Sequence, residues 1–421
     1  INSKGRPLWL KSYGGAFTEE ARGIARTKDG GFLLVGTTDS DNLTHGERDM
    51  YAVRVNALGD VVWERAFGGT GNDGANAALQ LADGSFIIAG ETGSRNGDVS
   101  SSFGGLDFWV IRVSAEGDLL WEEHFGGYQN EVIRTLCQTS DGNLLLAGST
   151  DSRTRDVPSN AGKTDVFMVK ITPDGKKLWS KSVGGNSFDE PYASQPLPDG
   201  GYFLVGTTYS SSGVIASQHG NNDVLLARFA PDGTLQWAKS FGGSGDDGGN
   251  AISPTMDGNY ILAATTQSRN GDVTQNRGSH DAWVLKVSPQ GELLWQRTVG
   301  GRKSEEFYAV QQAPGGQYIG IGYSASEDGD LMAVPKNGGN DFWVVALSDP
   351  ADSAQNVTSL TPTTLIGYTK NAVTDETVPA TVSIVKNSTN EVVSEAQADS
   401  SYGVYQVFLP IDTNYVSIGV E

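Results

Sequence analysis

Carboxylates can bind cations, exchange protons or cap backbone turns, and this chain carries them in columns of fixed spacing. Glu19, Asp73, Glu131, Asp189, Asp247 and Glu305 each stand five residues past the first glycine of a Gly-Gly pair. Asp49, Asp107, Asp165, Asp223, Asp281 and Asp341 form a second column. Asp98, Asp156, Asp272 and Asp330 share a register in the loops ahead of it. Acids of the first column placed around a common axis, roughly 9 Å apart, would repel by about 0.5 kcal/mol per pair in water and about 2 kcal/mol at an effective dielectric of 20. They must therefore be hydrated, satisfied by backbone N–H groups, or matched by cations. A calcium ion is the metal they could take, although calcium wants six to eight converging oxygens, and no resident cofactor is expected.

Other chemistries are poorly represented. The four histidines, His45, His124, His219 and His280, form no H-x-x-x-H or H-E-x-x-H pair, so no zinc site is expected. No G-x-S-x-G elbow is present. Glycoside hydrolysis needs two carboxyl groups about 5–9 Å apart in unequal environments. Equivalent acids in a repeat do not supply that inequality. The expectation is a protein without enzymatic activity.

The elements that position these acids are read from an internal repeat. Trp63, Trp121, Trp179, Trp237 and Trp295 fall at one fixed interval, with Trp9 ahead of them, and a Gly-Gly pair follows each. The string SRNGDV occurs twice, at 94–99 and 268–273, in the same loop of two different units. Within each unit, Asp-Gly turns separate short runs such as FIIAGET and WVIRVS, which alternate or concentrate β-forming residues. The 55 glycines in 421 residues, nearly double the usual ~7%, suit so many turns. No segment has sustained helical periodicity.

The expected fold class is all-β: a six-bladed β-propeller over 1–348, a linker over 349–361 and a small β-sandwich over 362–421. The chain opens on a lone fourth strand around Trp9 and ends its last unit on a third strand at Asp341–Ser348. The expectation is that these two pair and close the ring, since open edges invite aggregation. The aromatic column Tyr51, Trp109, Phe167, Trp283 and Trp343, interrupted by Leu225, is expected in the core between blades.

The motifs W-x-x-x-F-G-G, D-G-G-[FY], G-T-T-x-S and D-x-W-x-x-[KR], over 7–348, resemble the glycine- and tryptophan-rich propellers of bacterial surface proteins, especially in bacteria with type IX secretion. The segment from Thr364 resembles a carboxypeptidase-regulatory-like, transthyretin-type domain through Asp375, Pro379, Ala380, Asp399, Gly403, Tyr405, Leu409 and Pro410. This order resembles envelope proteins of the outer-membrane protein A family. The resemblance implies a bacterial envelope location, periplasmic or at the outer membrane or cell surface. It also implies a protein partner there, and contact with peptidoglycan through a domain absent from this sequence. Asp352-Ser353-Ala354 fits an O-glycosylation acceptor known in such bacteria.

Bulk properties bound the partners. The net charge of −20 disfavours nucleic acid and suits a basic partner. No run approaches a membrane span, and the single Cys137 excludes an internal disulfide framework. The opening INSKGRPLW lacks a signal-like apolar run, so a leader is expected to have been removed or the chain to be a fragment. Binding is expected on the face that carries the acid ring and the 14-residue loops. The candidate residues there are Arg95, Asp98, Phe103, Tyr209, His219, Arg269, Asp272 and His280. The leading expectation is a scaffold that engages a protein. Behind it stand a carbohydrate-binding surface protein, with Phe103 and Tyr209 as the aromatic candidates, and a propeller-fold glycoside hydrolase or lyase.

Overall fold

The computed structural model describes residues 9–40, 43–214, 219–332 and 338–349, and the backbone of five strands between 363 and 420. Residues 1–347 form one compact unit and 348–421 a second.

The first unit contains antiparallel sheets made of consecutive strands. Sheet 1 is β1 (Glu19–Arg26), β2 (Phe32–Thr38), β3 (Asp49–Val55) and β4 (Val61–Phe67). Sheet 2 is β5 (Asp73–Gln80), β6 (Phe86–Thr92), β7 (Asp107–Val113) and β8 (Leu119–Phe125). Sheet 3 is β9 (Glu131–Gln138), β10 (Leu144–Thr150), β11 (Asp165–Ile171) and β12 (Lys177–Val183). Sheet 4 is β13 (Asp189–Pro196), β14 (Tyr202–Thr208), β15 (Asp223–Phe229) and β16 (Leu235–Phe241). Sheet 5 is β17 (Asp247–Pro254), β18 (Tyr260–Thr266), β19 (Asp281–Val287) and β20 (Leu293–Val299). Sheet 6 has three strands, β21 (Glu305–Gln312), β22 (Tyr318–Ser324) and β23 (Asp341–Leu347).

Each first strand packs on the first and second strands of the sheet before it, so the sheets stack face to face about their first strands. This is a β-propeller-like arrangement. Alternation along the third strands divides their side chains between two neighbours. From β7, Trp109 and Ile111 pack against sheet 1, while Phe108 and Val110 pack against sheet 3. Trp109 and Trp283 are fully buried. Fourth-strand tryptophans reach the following sheet: Trp63 donates from Nε1 to Ala115 O at 2.8 Å. Its ring lies where a Cβ on Gly117 (φ 90°) would stand, so that turn needs glycine twice over.

The expected ladder between the Trp9 segment and Asp341–Ser348 is absent among the described residues. Residues 9–18 contain no strand, and β23 is the sheet edge, with Phe342 81% and Val344 57% exposed. At the other end Ala21 and Ile24 are exposed, whereas Ala75, Ile133 and Phe307, which match Ala21, are fully buried. The Trp9 segment instead finds partners on sheet 1. Trp9 donates to Ala57 O at 3.1 Å, and Tyr13 donates to Gly59 O at 2.7 Å while packing beside Tyr51 and Val53.

In the second unit β24 (Thr363–Tyr368) pairs with β27 (Val404–Leu409). There β25 (Thr381–Lys386) lies between β26 (Glu391–Gln397) and β28 (Tyr415–Val420). Asp352-Ser353-Ala354 and the marks Asp375, Pro379, Ala380, Asp399, Gly403 and Pro410 lie outside the described residues.

Candidate binding site at the inner rim

The first acid column is a set of internal clasps. Asp189 is fully buried and accepts Thr208 Oγ1 at 2.6 Å, Ser210 Oγ at 2.8 Å and Gly185 N at 2.7 Å. Asp73 does the same with Thr92, Ser94 and Gly69, and Asp247 with Thr266, Ser268 and Gly243. Glu131 accepts Thr150 Oγ1 and Gly127 N, and Glu305 accepts Ser324 Oγ, Ser326 N and Gly301 N. These five side chains offer no face to a ligand, which corrects their expected place as a ring around a channel mouth. The physical reason is the Thr/Ser-x-Ser run closing each second strand, whose hydroxyls bring the donors that a buried carboxylate requires. Glu19 is half-buried and bonds Thr38 and Ser40. Its sheet is not covered on that side.

The repeated SRNGDV string shapes the loop against the link entering its own sheet. Ser94 accepts Gly71 N at 2.8 Å, Asn96 accepts Thr70 N at 2.9 Å, and Asp98 accepts Gly68 N at 3.1 Å. Ser268, Asn270 and Asp272 repeat this on Gly245, Ser244 and Gly242. Arg95 braces its own loop through Ser102 Oγ and Gly104 O, while Arg269 is exposed. The Phe103 ring meets the His124 ring at a tilt, with centres 4.7 Å apart, under the Arg155 guanidinium. His219 sits 3.4 Å from Asp223.

The residues that do face the inner rim lie one and three places further along. Every first strand carries a β-bulge at its fourth residue, shown by register breaks such as Ala75/Ala77 and Pro191/Ala193. The bulged residues are Arg22, Asn76, Arg134, Tyr192, Asn250 and Tyr308. A bulge re-aims its side chain, and Arg22, Asn76, Arg134 and Asn250 reach across to the adjacent sheet. Asn76 donates to Ile133 O at 2.8 Å and to Glu91 at 2.6 Å, and Asn250 donates to Phe307 O at 2.9 Å and to Glu306 at 3.0 Å. The Arg134 guanidinium lies 5.7 Å from the Tyr192 ring centre. Burial raises Glu91 above the ordinary carboxylate range against the opposing pull of Arg22 and Arg134.

Between sheets 4, 5 and 6 this rim opens into a pocket of about 730 Å³. Glu190, Tyr192, Tyr209, Asp246, His280 and Glu306 supply its polar wall. The Tyr192 hydroxyl donates to Glu190 at 2.7 Å, and burial, then that bond, raises its pKa. Tyr209 is 45% exposed and meets Phe188 edge-on at 6.0 Å. Lys163 lies 4.7 Å from the Phe188 ring centre, and Gln267 bonds His280 Nε2 at 2.5 Å. The structure thus brings Tyr209, His280 and the buried Asp247 to one site and leaves the other sequence candidates outside it. Glu190, Tyr192, Asn250 and Glu306 were not anticipated. Their signal was variability: one and three places after the near-constant acid stand Glu20, Gly74, Val132, Glu190, Gly248 and Glu306, then the six bulged residues.

Among the described residues, no cluster of three or more His, Cys, Asp or Glu is arranged to hold a metal ion, and no helix is long and apolar enough to cross a membrane. No family model matches the chain. It is 26% identical over 191 residues to the regulatory protein FlaEY of Caulobacter vibrioides, which is 41% of this chain and 19% of that protein. The chain therefore spans about a fifth of that relative's length. Among solved structures it is similar to hydrazine synthase of Kuenenia stuttgartiensis (TM-score 0.47, 10% identity, 75% of this chain and 80% of that one). It is also similar to the Pan2 WD40 domain of Neurospora crassa (0.41, 12%, 94% and 91%). A third likeness is to YCF48 bound to a D1 peptide (0.36, 11%, 71% and 73%).

Proposed function

We propose that this chain is a non-enzymatic binding module of the bacterial cell envelope whose inner rim receives a basic segment of a protein partner. The observation that carries this reading is the pocket in which Glu190, Asp246 and Glu306 stand beside Tyr192 and Tyr209. Carboxylates next to aromatic rings suit a lysine or arginine side chain, through ion pairing and through the ring faces. The net charge of −20 draws such a partner in from a distance. The envelope location, a link to type IX machinery and the carboxypeptidase-regulatory-like identity of the second unit are supported by the sequence resemblance alone. Immobilised protein should capture a partner from solubilised envelope, and the double variant Glu190→Gln, Glu306→Gln should release it. Equal capture by both proteins would overturn the pocket as the binding site.

We also propose that the array closes as a six-bladed ring when sheet 6 meets sheet 1. Phe342 and Val344 of β23 match Phe108 and Val110 of β7, which a following sheet covers. Tyr51 and Val53 match Trp109 and Ile111, which a preceding sheet covers. The bare face of β23 and the face of sheet 1 that the Tyr13 segment covers are thus the complementary halves of the junction made five times elsewhere. A disulfide trapped between cysteines placed at Ala21 and Val344 within one chain supports closure; cross-linking only between chains opposes it.

A second reading, carbohydrate binding, is favoured by Tyr209, an exposed ring on the pocket rim. Retention on immobilised glycans, lost in Tyr209→Ala, would favour it over the basic partner.

A further inference from the structure

The second acid column carries an unexplained oxygen at each junction between sheets. Asp49, Asp107, Asp165, Asp223 and Asp281 are buried to 1% exposure or less. One oxygen of each accepts the backbone N–H of the residue four places earlier, as Asp107 does from Phe103 at 2.6 Å and Asp281 from Arg277 at 2.9 Å. The other oxygen, Oδ1, is buried and has no hydrogen-bond partner in all five. A buried oxygen without a donor is costly, and a fivefold repeat of that cost needs a reason.

At four of the five junctions what stands near this oxygen is another carboxylate, from the next sheet. A Cβ built on Gly68 would lie 2.5 Å from Asp49 Oδ1 and 2.6 Å from Asp73 Oδ2. On Gly300 it would lie 2.7 Å from both Asp281 Oδ1 and Glu305 Oε2. The same point on Gly126 is shared by Asp107 Oδ1 and Glu131 Oε2, and on Gly242 by Asp223 Oδ1 and Asp247 Oδ2. At these four junctions two acids of successive sheets therefore flank one glycine, which leaves room for nothing larger than hydrogen.

We propose that at each of these junctions the orphaned oxygen carries a proton, donated to the neighbouring sheet's carboxylate, and that the junction loosens when that proton is lost. A neutral acid turns the unpaired acceptor into a donor and removes the repulsion between two buried charges. A metal ion fits less well. The facing carboxylate already accepts hydroxyl and backbone donors, as Glu131 does from Thr150 and Gly127, and the six to eight oxygens of a calcium site are missing.

The junctions differ in what else faces them. Asp49 has His45 and Asp73, Asp165 has Arg153 and Asp189, Asp223 has His219 and Asp247, and Asp281 has Arg277 and Glu305. Asp107 faces only the acids Glu131 and Asp156, and the other oxygen of Asp156 is taken by Lys177. Burial first, then Glu131, pushes Asp107 up to about 6, so its proton leaves as solution passes from mildly acidic to neutral.

Asp107→Asn is the isosteric test, because an amide N–H can stand where the acid O–H does. In the full chain this variant should melt within a few degrees of wild type at mildly acidic pH. Above neutrality it should melt higher, since its amide keeps the bond that wild type loses. Wild type should also show an infrared band of protonated carboxyls, and the variant should lack the part of it that fades near pH 6. A variant destabilised equally across pH, or a wild type lacking that band, overturns the proposal. So does calcium that raises the melting temperature of wild type but not of the variant. If the variant fails to fold, Asp281→Asn takes its place in the same comparison, and no gain over wild type above neutrality overturns the proposal.

Discussion

Trp9 donates its indole N–H to Ala57 O and lays its ring against Gly59, as Trp63 does with Ala115 and Gly117 one sheet later. The N-terminal segment thus stands where the fourth strand of a preceding sheet would stand, although it forms no ladder there. Trp63 is 6% exposed and Trp9 is only half-buried. Replacing Trp63 by Ala should cost about 3–5 kcal/mol in denaturant unfolding, and Trp9→Ala less than half of that. Equal losses would mean that the first segment is packed as deeply as the internal ones.

The clasps should be among the most sensitive polar positions of the molecule. Asp189→Ala leaves Thr208, Ser210 and Gly185 N–H without their shared acceptor, at an expected cost of about 3 kcal/mol or more. Thr208→Val removes one donor and should cost about 1.5–3 kcal/mol, as for a hydrogen bond to a charged group. Urea midpoints of the two variants would rank them, and a neutral Asp189→Ala would refute the clasp.

Stability in acid should be governed by the other face. Burial pushes Asp141 and Asp257 up, yet Lys170 at 2.8 Å and Lys286 at 2.6 Å, with Thr and Asn donors, hold both well below the ordinary carboxylate range. A depressed folded-state pKa adds stability that is complete above the unfolded value and is lost as pH falls through the folded one. Melting temperature should therefore drop below about pH 4, and Lys170→Met should flatten that limb. The junction acids have the opposite sign, so their contribution is present in mild acid and fades toward neutrality.

A basic partner held at the pocket should show a strong dependence on salt. Glu190→Gln combined with Glu306→Gln should weaken it about tenfold, equivalent to about 1.4 kcal/mol. Calorimetry at two ionic strengths would check both statements, and an unchanged affinity would move the binding site elsewhere.

Phe342 offers a direct reading of closure. If sheet 6 is covered in solution, Phe342→Ser should cost about 1.5–3 kcal/mol. If β23 stays bare, as its 81% exposure has it, the change should fall within about 0.5 kcal/mol.

Much of the sheet architecture was legible because Asp-Gly turns and alternating strands encode it locally: the third strands begin at Asp49, Asp107, Asp165, Asp223 and Asp281, the residues that recur in the sequence. The acids were conspicuous for the same reason, since each junction requires them, and a residue required by every unit reports structure. The pocket was hidden because Tyr192 and Asn250 owe their direction to a bulge that no turn signal announces. The position of the Trp9 segment depended on packing between remote parts of the chain, which a repeat count does not contain.

Because every junction joins an Asp of one unit to an acid of the next, units are interchangeable at their seams. Excising 73–130 would fuse Asn72 to Glu131, reproduce the native Asn130-Glu131 step, and present Asp49 with Glu131 in place of Asp73. A gene built this way can gain or shed whole modules by recombination without inventing a new seam, and only closure of the ring fixes how many it keeps.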